Sequence, residues 1–218
     1  MDFRVLFKFL EELQSNNHKE WMDANRKHYQ TLRNDFITWL DGLDNRLAKI
    51  DPEYYSTPGK KGINRINNNL LFHPNKPVYK DHFGAGLDQK TKQGDFYIEI
   101  GISKGVLAGG YWRPDNKVLH SIRDAIDYDG EKLVKIINKK SFKNTFGSLY
   151  ADGNKLKSAP KGFSADHEHI DLLKHKTFAV IHELTQEEIL ENDFTDKIIE
   201  VYKEMLPFRR YLRQAVTV

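Results

Sequence analysis

The chain has 218 residues, no cysteine, 34 basic and 31 acidic side chains, and a formal net charge of +3 at pH 7. The lack of cysteine excludes a disulfide framework, a thiolate nucleophile and a cysteine-ligated zinc site, and it is typical of a reducing compartment. The near balance of charge does not argue for nucleic acid, because proteins that bind phosphate backbones usually carry a clear basic excess.

The first thirteen residues, MDFRVLFKFLEEL, predict an amphipathic helix. Apolar residues recur at spacings of three and four and share one face, namely Phe3, Leu6, Phe7, Leu10 and Leu13. Basic residues interrupt the apolar pattern, which is not typical of a signal peptide. No apolar run approaches the roughly 20 residues of a bilayer span, so we expect a soluble, cytoplasmic protein without membrane contact.

A longer helix is predicted from about His18 to Lys49. Asn16 and Asn17 precede it and are good capping residues, and Pro52 ends it. Its apolar stripe keeps the helical period over several turns and comprises Trp21, Tyr29, Leu32, Phe36, Leu40, Leu43 and Leu47.

The middle of the chain carries the strand signals. Residues 96–102 are rich in aromatic and β-branched side chains, 103–105 are typical of a hairpin turn, and 106–112 return as a second strand. Further strands are predicted at Thr177–His182 and at Ile63–Leu71, although three successive asparagines, at 67–69, interrupt the latter run.

Helical patterns surround these strands. Residues 114–126 and 129–137 predict two helices, with Asp129 as the N-cap of the second. Residues 193–214 predict a C-terminal helix that bends at Pro207.

The order of these elements predicts the fold class. Strands clustered between helical ends indicate an α+β fold, with a central, mainly antiparallel sheet covered by the N-terminal and C-terminal helices. No Gly-, Ser- or Pro-rich linker divides the chain. We therefore expect one domain over residues 1–218, with a helical part at about 3–50, a sheet-containing part at about 63–182 and a final helix at about 193–214.

The stretch from position 65 to position 82 collects more basic and hydrogen-bonding side chains than a scaffold needs. Its candidate ligand-binding residues are Arg65, Asn68, Lys76, Tyr79, Lys80 and His82. Guanidinium and ammonium groups hold phosphate and carboxylate, which predicts an anion site. The alternative interpretation is structural: the asparagines form turns and the lysines are solvated.

Three further basic residues are candidates for the same site. Arg113 ends a predicted strand, Arg123 lies on the helix after it, and Lys161 lies in a proline–glycine turn. Gly109 and Gly110 would permit the close approach of a ligand or of another backbone. The alternatives are a tight strand crossing at the glycines, acidic partners for the arginines and a solvated lysine.

No metal and no cofactor is expected. The densest cluster of ligand-type side chains, Asp166–His169, lacks the H-E-x-x-H spacing and any cysteine pair. Asp95, Glu99 and Lys104 do not follow the acidic-acidic-lysine spacing of metal-dependent nucleases. Neither a G-x-S-x-G elbow nor a Walker-type phosphate loop occurs.

Four motifs together resemble one family. Residues 16–21 (NNHKEW) resemble the N-N-x-K-E-W opening of the domain-of-unknown-function 2461 family of bacteria and fungi. Residues 65–80 keep part of its R-I-Y-R-D-x-R-F-S-x-D-K-x-P-Y-K signature. The GGYWRP run at 109–114 and the L-K-x-x-P-K-G-F element at 156–163 follow in order. The resemblance covers about Phe3 to Arg213, but this family brings no known activity with it.

The central signature departs from the family pattern. Asn68, Asn69 and Leu71 stand where the family has arginine, aspartate and arginine, and Asn75 replaces a further aspartate. Four ionisable positions are therefore neutral. If the charged cluster is the active element of the family, this chain is a divergent or disabled member.

The leading hypothesis is a basic pocket for a small anionic or phosphorylated ligand, which leaves open whether the protein is an enzyme. In an enzyme the cations would stabilise developing negative charge, and His82 or Tyr79 would be the nearest proton-transfer groups. The catalytic residues and the oligomeric state are not predicted. The alternative is a non-catalytic module that contacts protein or RNA. A concave site favours the first hypothesis and a flat basic-aromatic face the second.

Overall fold

The computed structural model describes residues 1–90, 94–151, 153 and 155–217. The helices are α1 (Phe3–Ser15), α2 (Lys19–Ala24), α3 (Arg26–Ala48), α4 (Gly59–Gly62), α5 (Asn116–Asn138), α6 (Lys140–Phe146), α7 (Ile170–Leu173), α8 (Gln186–Leu190) and α9 (Phe194–Ala215). The strands are β1 (His82–Leu87), β2 (Phe96–Gly101), β3 (Gly105–Tyr111) and β4 (Phe178–Leu184). They form an antiparallel sheet in the order β1-β2-β3-β4, flanked by helices, which confirms the predicted α+β fold.

The chain forms two compact units, each assembled from separate segments. The first unit comprises Met1–Gln89, Tyr97–Leu107 and Glu183–Ile199. The second comprises Lys90–Phe96, Ala108–His182 and Glu200–Val218. The single domain expected for the whole chain stays a prediction. Among the residues that the structure describes, no helix combines the length and the apolar composition needed to cross a membrane.

The helices of the first unit bury the predicted apolar faces. Asp2 caps α1, since its carboxylate accepts from the Arg4 N–H at 2.9 Å. The predicted stripe is buried in α3 at Tyr29, Leu32, Phe36, Leu40, Leu43 and Leu47. Burial of such a stripe against the core stabilises a helix more than its intrinsic propensity does.

The single helix predicted from His18 to Lys49 is wrong in one respect, because Asn25 divides it into α2 and α3. The Asn25 side chain donates to the Trp21 carbonyl at 2.9 Å. Such a local bond competes with the helical backbone pattern. His18, rather than either preceding asparagine, caps α2.

The strand predicted at Ile63–Leu71 is wrong, and β1 was missed. The segment carries only isolated bridges, from Ile63 to Ala85 and from Asn67 to Tyr79. The sequence of β1, HFGAGL, is poor in strand-forming residues. Close packing explains one of its glycines: a Cβ on Gly84 would lie 2.6 Å from the Tyr97 hydroxyl oxygen.

In the second unit, α5 contains a kink where two helices were predicted. Asp129 has non-helical angles, with φ −149° and ψ 54°, so the break falls at the residue expected to cap the second helix. Asp115 caps the start of α5 by accepting from the N–H groups of Lys117 and Val118, both at 2.9 Å.

The paired glycines near the end of β3 belong to a tight strand crossing. Gly110 has φ +112°, and a Cβ there would lie 2.2 Å from the Phe178 carbonyl oxygen. A Cβ on Gly109 would lie 2.3 Å from the Met205 sulfur. The structural interpretation of this pair is therefore confirmed.

Candidate functional site

Residues 65–80 of the first unit form a hairpin, which we call the basic hairpin. The Lys80 N–H donates to the Ile66 carbonyl at 2.8 Å, and the Asn68 N–H donates to the Val78 carbonyl at 2.9 Å. The Asn68 side chain donates to the Pro77 carbonyl at 2.8 Å. This bond supports the turn, as the structural interpretation of the asparagines expects.

A side chain from the N-terminal motif holds the basic hairpin in place. The Tyr79 N–H donates to Asn17 Oδ1 at 2.8 Å, and Asn17 Nδ2 donates to the Tyr79 carbonyl at 3.0 Å. Gln14 Nε2 donates to the Lys80 carbonyl at 3.0 Å. The amide of Asn17 thus completes the backbone hydrogen bonding of Tyr79, and this joins the NNHKEW motif to the Tyr-Lys pair of the central signature.

Three arginines line one cavity of about 200 Å³ in the first unit, which we call the tri-arginine cavity. Its lining residues are Arg26, Tyr29, Arg33, Ile63, Asn64, Arg65, Ile66 and Asn67. The first three lie on α3 at spacings of three and four, so they share one face of the helix. Arg26 forms an ion pair with Asp23. Among the described residues, no carboxylate lies within 4.0 Å of the Arg33 or Arg65 guanidinium.

The cavity and the hairpin beside it concentrate positive charge. Burial raises the pKa of the Tyr29 phenol, and the charges of Arg33 and Arg26 oppose that increase. Burial lowers the pKa of Lys80, and the charge of Arg65 adds to the decrease. Lys80 Nζ donates to the Arg65 carbonyl at 2.7 Å, so this lysine also fixes the backbone that carries Arg65.

His82 lies between two carboxylates at the start of β1. Its Nδ1 is 2.8 Å from Asp81 Oδ1, and its Nε2 is 3.4 Å from Glu99 Oε2. Burial raises the pKa of Asp81, but hydrogen bonds from Ser103 and His82 outweigh it and hold that pKa below its usual value. The Tyr97 hydroxyl donates to Glu99 at 2.9 Å. Because both ring nitrogens already face carboxylates, proton transfer by His82 stays a prediction that requires one contact to open.

The second unit has a larger basic cavity, of about 470 Å³, which we call the α5 cavity. Its lining residues are Arg113, Pro114, Asn116, Leu119, Arg123, Leu156 and Lys176. Arg113 has φ +43°, an uncommon conformation for a residue with a side chain. Its N–H donates to Thr177 Oγ1 at 3.2 Å. This bond holds the turn that brings Arg113 to the cavity.

Arg123 both lines the α5 cavity and holds its wall. Its Nε donates to the Leu173 carbonyl at 2.8 Å, and Nη2 donates to the His175 carbonyl at 3.0 Å. Burial lowers the pKa of its guanidinium. Within the described part of the chain, no carboxylate lies within 4.0 Å of Arg123 or Lys176.

Lys161 and the histidine cluster lie outside the lining of both cavities. Lys161 is exposed in a turn closed by the Phe163 N–H, which donates to the Pro160 carbonyl at 3.2 Å. His167 Nε2 lies 3.0 Å from Asp127 Oδ1. In the residues that are described, no group of three or more His, Asp or Glu side chains could hold a metal ion.

The structure thus places the sequence-predicted residues in different surroundings. Arg65 lines the tri-arginine cavity, and Asn68, Lys76, Tyr79, Lys80 and His82 lie on or just after the basic hairpin. Arg113 and Arg123 line the α5 cavity. Sequence reasoning missed Arg26 and Arg33, because α3 was interpreted only by its apolar stripe. The signal was present, since both arginines share a helix face with Tyr29.

The fold and the cavities define an α+β protein with basic cavities. A family model described as "Conserved hypothetical protein (DUF2461)" matches residues 5–211. The chain belongs to that family, as the motifs predicted. No curated protein and no solved structure matches the chain.

Proposed function

We propose that the first unit binds a small anionic or phosphorylated ligand in the tri-arginine cavity. One observation carries the proposal: three guanidiniums converge on one cavity, and no described carboxylate lies within 4.0 Å of Arg33 or Arg65. Guanidinium groups present planar pairs of N–H donors that match phosphate and carboxylate oxygens. An anion in the cavity would offset the repulsion among these like charges.

The size and neutral lining of the cavity support a small ligand. Its volume of about 200 Å³ lies below the roughly 300–1,000 Å³ of pockets for drug-sized ligands. This volume suits an oxyanion or the phosphorylated end of a larger molecule. The Tyr29 hydroxyl and the amides of Asn64 and Asn67 would supply further hydrogen bonds to ligand oxygens.

Two lysines of the basic hairpin that lie outside the cavity lining would assist binding without touching the ligand. Lys76 and Lys80 add positive potential beside Arg65. Burial is the main cause of the lowered pKa of Lys80, and the charges of Arg65 and Lys76 add to the decrease. Such a field raises the local anion concentration and the association rate, and salt weakens it. Arginines arranged in this way would also stabilise charge that develops in a reaction, but the proposal concerns binding.

The proposal is tested by calorimetry at low salt with inorganic phosphate, sulfate and a panel of sugar phosphates. A ligand at 100 times its dissociation constant should also stabilise the protein by about 2.7 kcal/mol in a thermal-shift assay. We expect Arg33→Ala and Arg65→Ala each to weaken binding at least tenfold, because each removes a charged hydrogen-bond donor.

The matched control is Lys27→Ala, which removes one exposed positive charge from the same helix but not from the cavity. Circular dichroism checks that each variant is folded, and Arg65→Lys keeps the charge if Arg65→Ala unfolds. Equal binding by wild type and both arginine variants would contradict the proposal. An equal loss in Lys27→Ala would reduce it to a nonspecific charge effect.

The tip of the basic hairpin favours a second function, as a contact surface for a protein with an acidic rim. Leu71 is 85% exposed and Phe72 73% exposed, and both lie between the basic residues at the two ends of the hairpin. Neighbouring exposed apolar side chains commonly mark interaction sites. Phe72 offers a base one stacking face and Leu71 offers none, whereas proteins that bind single strands use several aromatic side chains, so this tip suits a protein better than RNA.

An acidic amphipathic peptide is the probe for this second function. Binding should weaken in Leu71→Ser and at high salt, and it should be unchanged in Arg33→Ala. Binding of a short single-stranded RNA in place of the peptide would favour the RNA alternative. If neither the peptide nor the RNA bound, the hairpin tip would not be a contact surface, and only the anion-binding proposal would remain.

A further inference from the structure

A stacked aromatic pair in the second unit includes Trp112, which directly precedes Arg113 of the α5 cavity lining. The rings of Trp112 and Tyr150 stack with centroids 4.7 Å apart and an interplanar angle of 30°. Trp112 is nevertheless 52% exposed, so it keeps accessible ring surface. A stacked pair of this kind is a rigid platform, because each ring restricts the motion of the other.

The platform and the cations are close enough for one ligand to reach both. Arg113 directly follows Trp112, and its guanidinium carbon lies over the Trp112 ring, 5.9 Å from the ring centroid. A base that stacks on Trp112 would therefore share the ring with this cation. Arg113, Arg123 and Lys176 line the cavity beside it. Arg123 donates two hydrogen bonds to backbone carbonyls, but its positive charge still acts on the cavity.

The backbone at Arg113 has an uncommon conformation of the kind that occurs at ligand sites. The φ of +43° at Arg113 is sparsely populated for a residue with a side chain. Such strained conformations are enriched at sites that hold a ligand. Thr177 fixes the conformation through its hydroxyl, so Arg113 is directed to the cavity by the fold itself.

We propose that the α5 cavity binds a mononucleotide, whose phosphate lies among Arg113, Arg123 and Lys176 and whose base stacks on Trp112. The volume of about 470 Å³ falls within the roughly 300–1,000 Å³ of small-ligand pockets. A nucleotide combines a planar ring with a phosphate, which are the two chemistries that this site offers. Asn116 adds an amide that donates to or accepts from ligand oxygens.

A single nucleotide fits this site better than a polynucleotide. Proteins that bind single strands use several aromatic side chains along a positive groove. In the described part of the chain, one group of cations lines the α5 cavity, and Trp112, whose ring stacks on Tyr150, directly precedes Arg113 of that group in sequence. The proposal does not rest on anion binding in the tri-arginine cavity, since no residue is shared between the two linings.

The test uses three probes in calorimetry at low salt: adenosine monophosphate, ribose 5-phosphate and adenosine. The monophosphate should bind at least tenfold more tightly than either part. It should also quench tryptophan fluorescence, because the base stacks on Trp112, with Trp21 and Trp39 as the constant background.

Variants separate the two halves of the ligand. Trp112→Ala should weaken the monophosphate about tenfold and abolish the quenching, while ribose 5-phosphate binds as before. Trp112→Phe should keep most of the affinity, since a ring remains. Lys176→Ala should weaken both phosphate probes, and the neighbouring exposed Lys157→Ala is its charge-matched control.

Several results would overturn the proposal. Equal affinity for the monophosphate and ribose 5-phosphate would show that the base does not contribute to binding. Unchanged binding in both Trp112→Ala and Lys176→Ala would place the nucleotide elsewhere, and loss of nucleotide binding in Arg33→Ala would assign it to the first unit. A short RNA that binds a hundredfold more tightly than the monophosphate would replace the mononucleotide with a polynucleotide.

Discussion

The two basic cavities have walls that are held by different kinds of side chain. In the first unit a neutral amide, Asn17, pairs with the backbone of Tyr79 through bonds of 2.8 and 3.0 Å. In the second unit a charged residue, Arg123, donates to the carbonyls of Leu173 and His175. Both side chains satisfy backbone groups of a distant segment, which would otherwise lack partners.

In the first unit, the residue that holds the structure differs from the residues that line the cavity. In the second unit, one residue has both roles. Around the tri-arginine cavity, Asn17 holds the structure while Arg33 and Arg65 line the site and make no described ion pair. Around the α5 cavity, Arg123 does both. Substitution of Arg33 or Arg65 should therefore change binding with little change in stability, whereas substitution of Arg123 should change both.

The largest expected effect is that of Arg123→Ala, which should lower the free energy of unfolding by roughly 3 kcal/mol. The substitution leaves two carbonyls without partners and removes bonds from a charged donor. Arg123→Lys should recover only part, because an ammonium group lacks the planar fork. Urea denaturation followed by circular dichroism measures the change. Lys176→Ala, from the same lining, should change the free energy of unfolding by no more than about 0.5 kcal/mol. If Lys176→Ala cost as much as Arg123→Ala, the two bonds from Arg123 to the backbone would not explain the loss.

The two bonds between the Asn17 side chain and the backbone of Tyr79, which we call the Asn17 clamp, are tested by Asn17→Ala. This variant should lower the free energy of unfolding by roughly 2 kcal/mol, since it leaves the N–H and carbonyl of Tyr79 without this partner. Asn16→Ala is the control, because the side chain of Asn16 donates only to the exposed Glu12 carbonyl. The same denaturation experiment compares the two variants. If Asn16→Ala costs as much as Asn17→Ala, the effect belongs to the helix end and not to the hairpin.

Local patterns explain which parts of this structure were predictable from the sequence. The stripe of α3, the hairpin of β2 and β3, and strand β4 follow from periodicity and strand propensity, which act over a few residues. Strand β1 did not, because Gly84 reflects the closeness of Tyr97 on the neighbouring strand β2, which no pattern within β1 indicates.

The candidate sites show the same limit. Arg65 was predicted from its own segment, but its companion Arg33 comes from a helix that only the fold brings to it. The bonds between Asn17 and Tyr79 span 62 positions, so no local pattern indicates them. Resemblance to the family identified both motifs without indicating that they touch.

The pH dependence of stability should distinguish the two walls. His175, whose carbonyl Arg123 holds, is 4% exposed, and burial, with the charge of Lys155, lowers its pKa to about 4. The unfolded chain, with the ordinary value near 6.5, takes up a proton first as pH falls. The contribution is thus fully present above pH 6.5 and is lost as the pH falls through about 4.

Between pH 7 and pH 5 this one group should remove roughly 2 kcal/mol from the free energy of unfolding. Urea denaturation at both pH values measures the loss, and His175→Leu should show a smaller loss because it has no titrating ring. The Asn17 clamp contains no titratable group, so Asn17→Ala should lose as much as wild type. A loss in His175→Leu equal to that of wild type would assign the pH dependence to other groups.

The smallest expected effect is that of Arg33→Gln, and its sign is the most informative. If Arg33 serves a ligand, removal of its charge should relieve repulsion in the tri-arginine cavity and stabilise the ligand-free protein by a few tenths of a kcal/mol. The gain should fade at high salt, which screens partly exposed charges. Urea denaturation at low and at high salt, without phosphate in the buffer, measures both. A loss above about 1 kcal/mol would instead make Arg33 a structural residue like Arg123, and the contrast between the two cavities would then disappear.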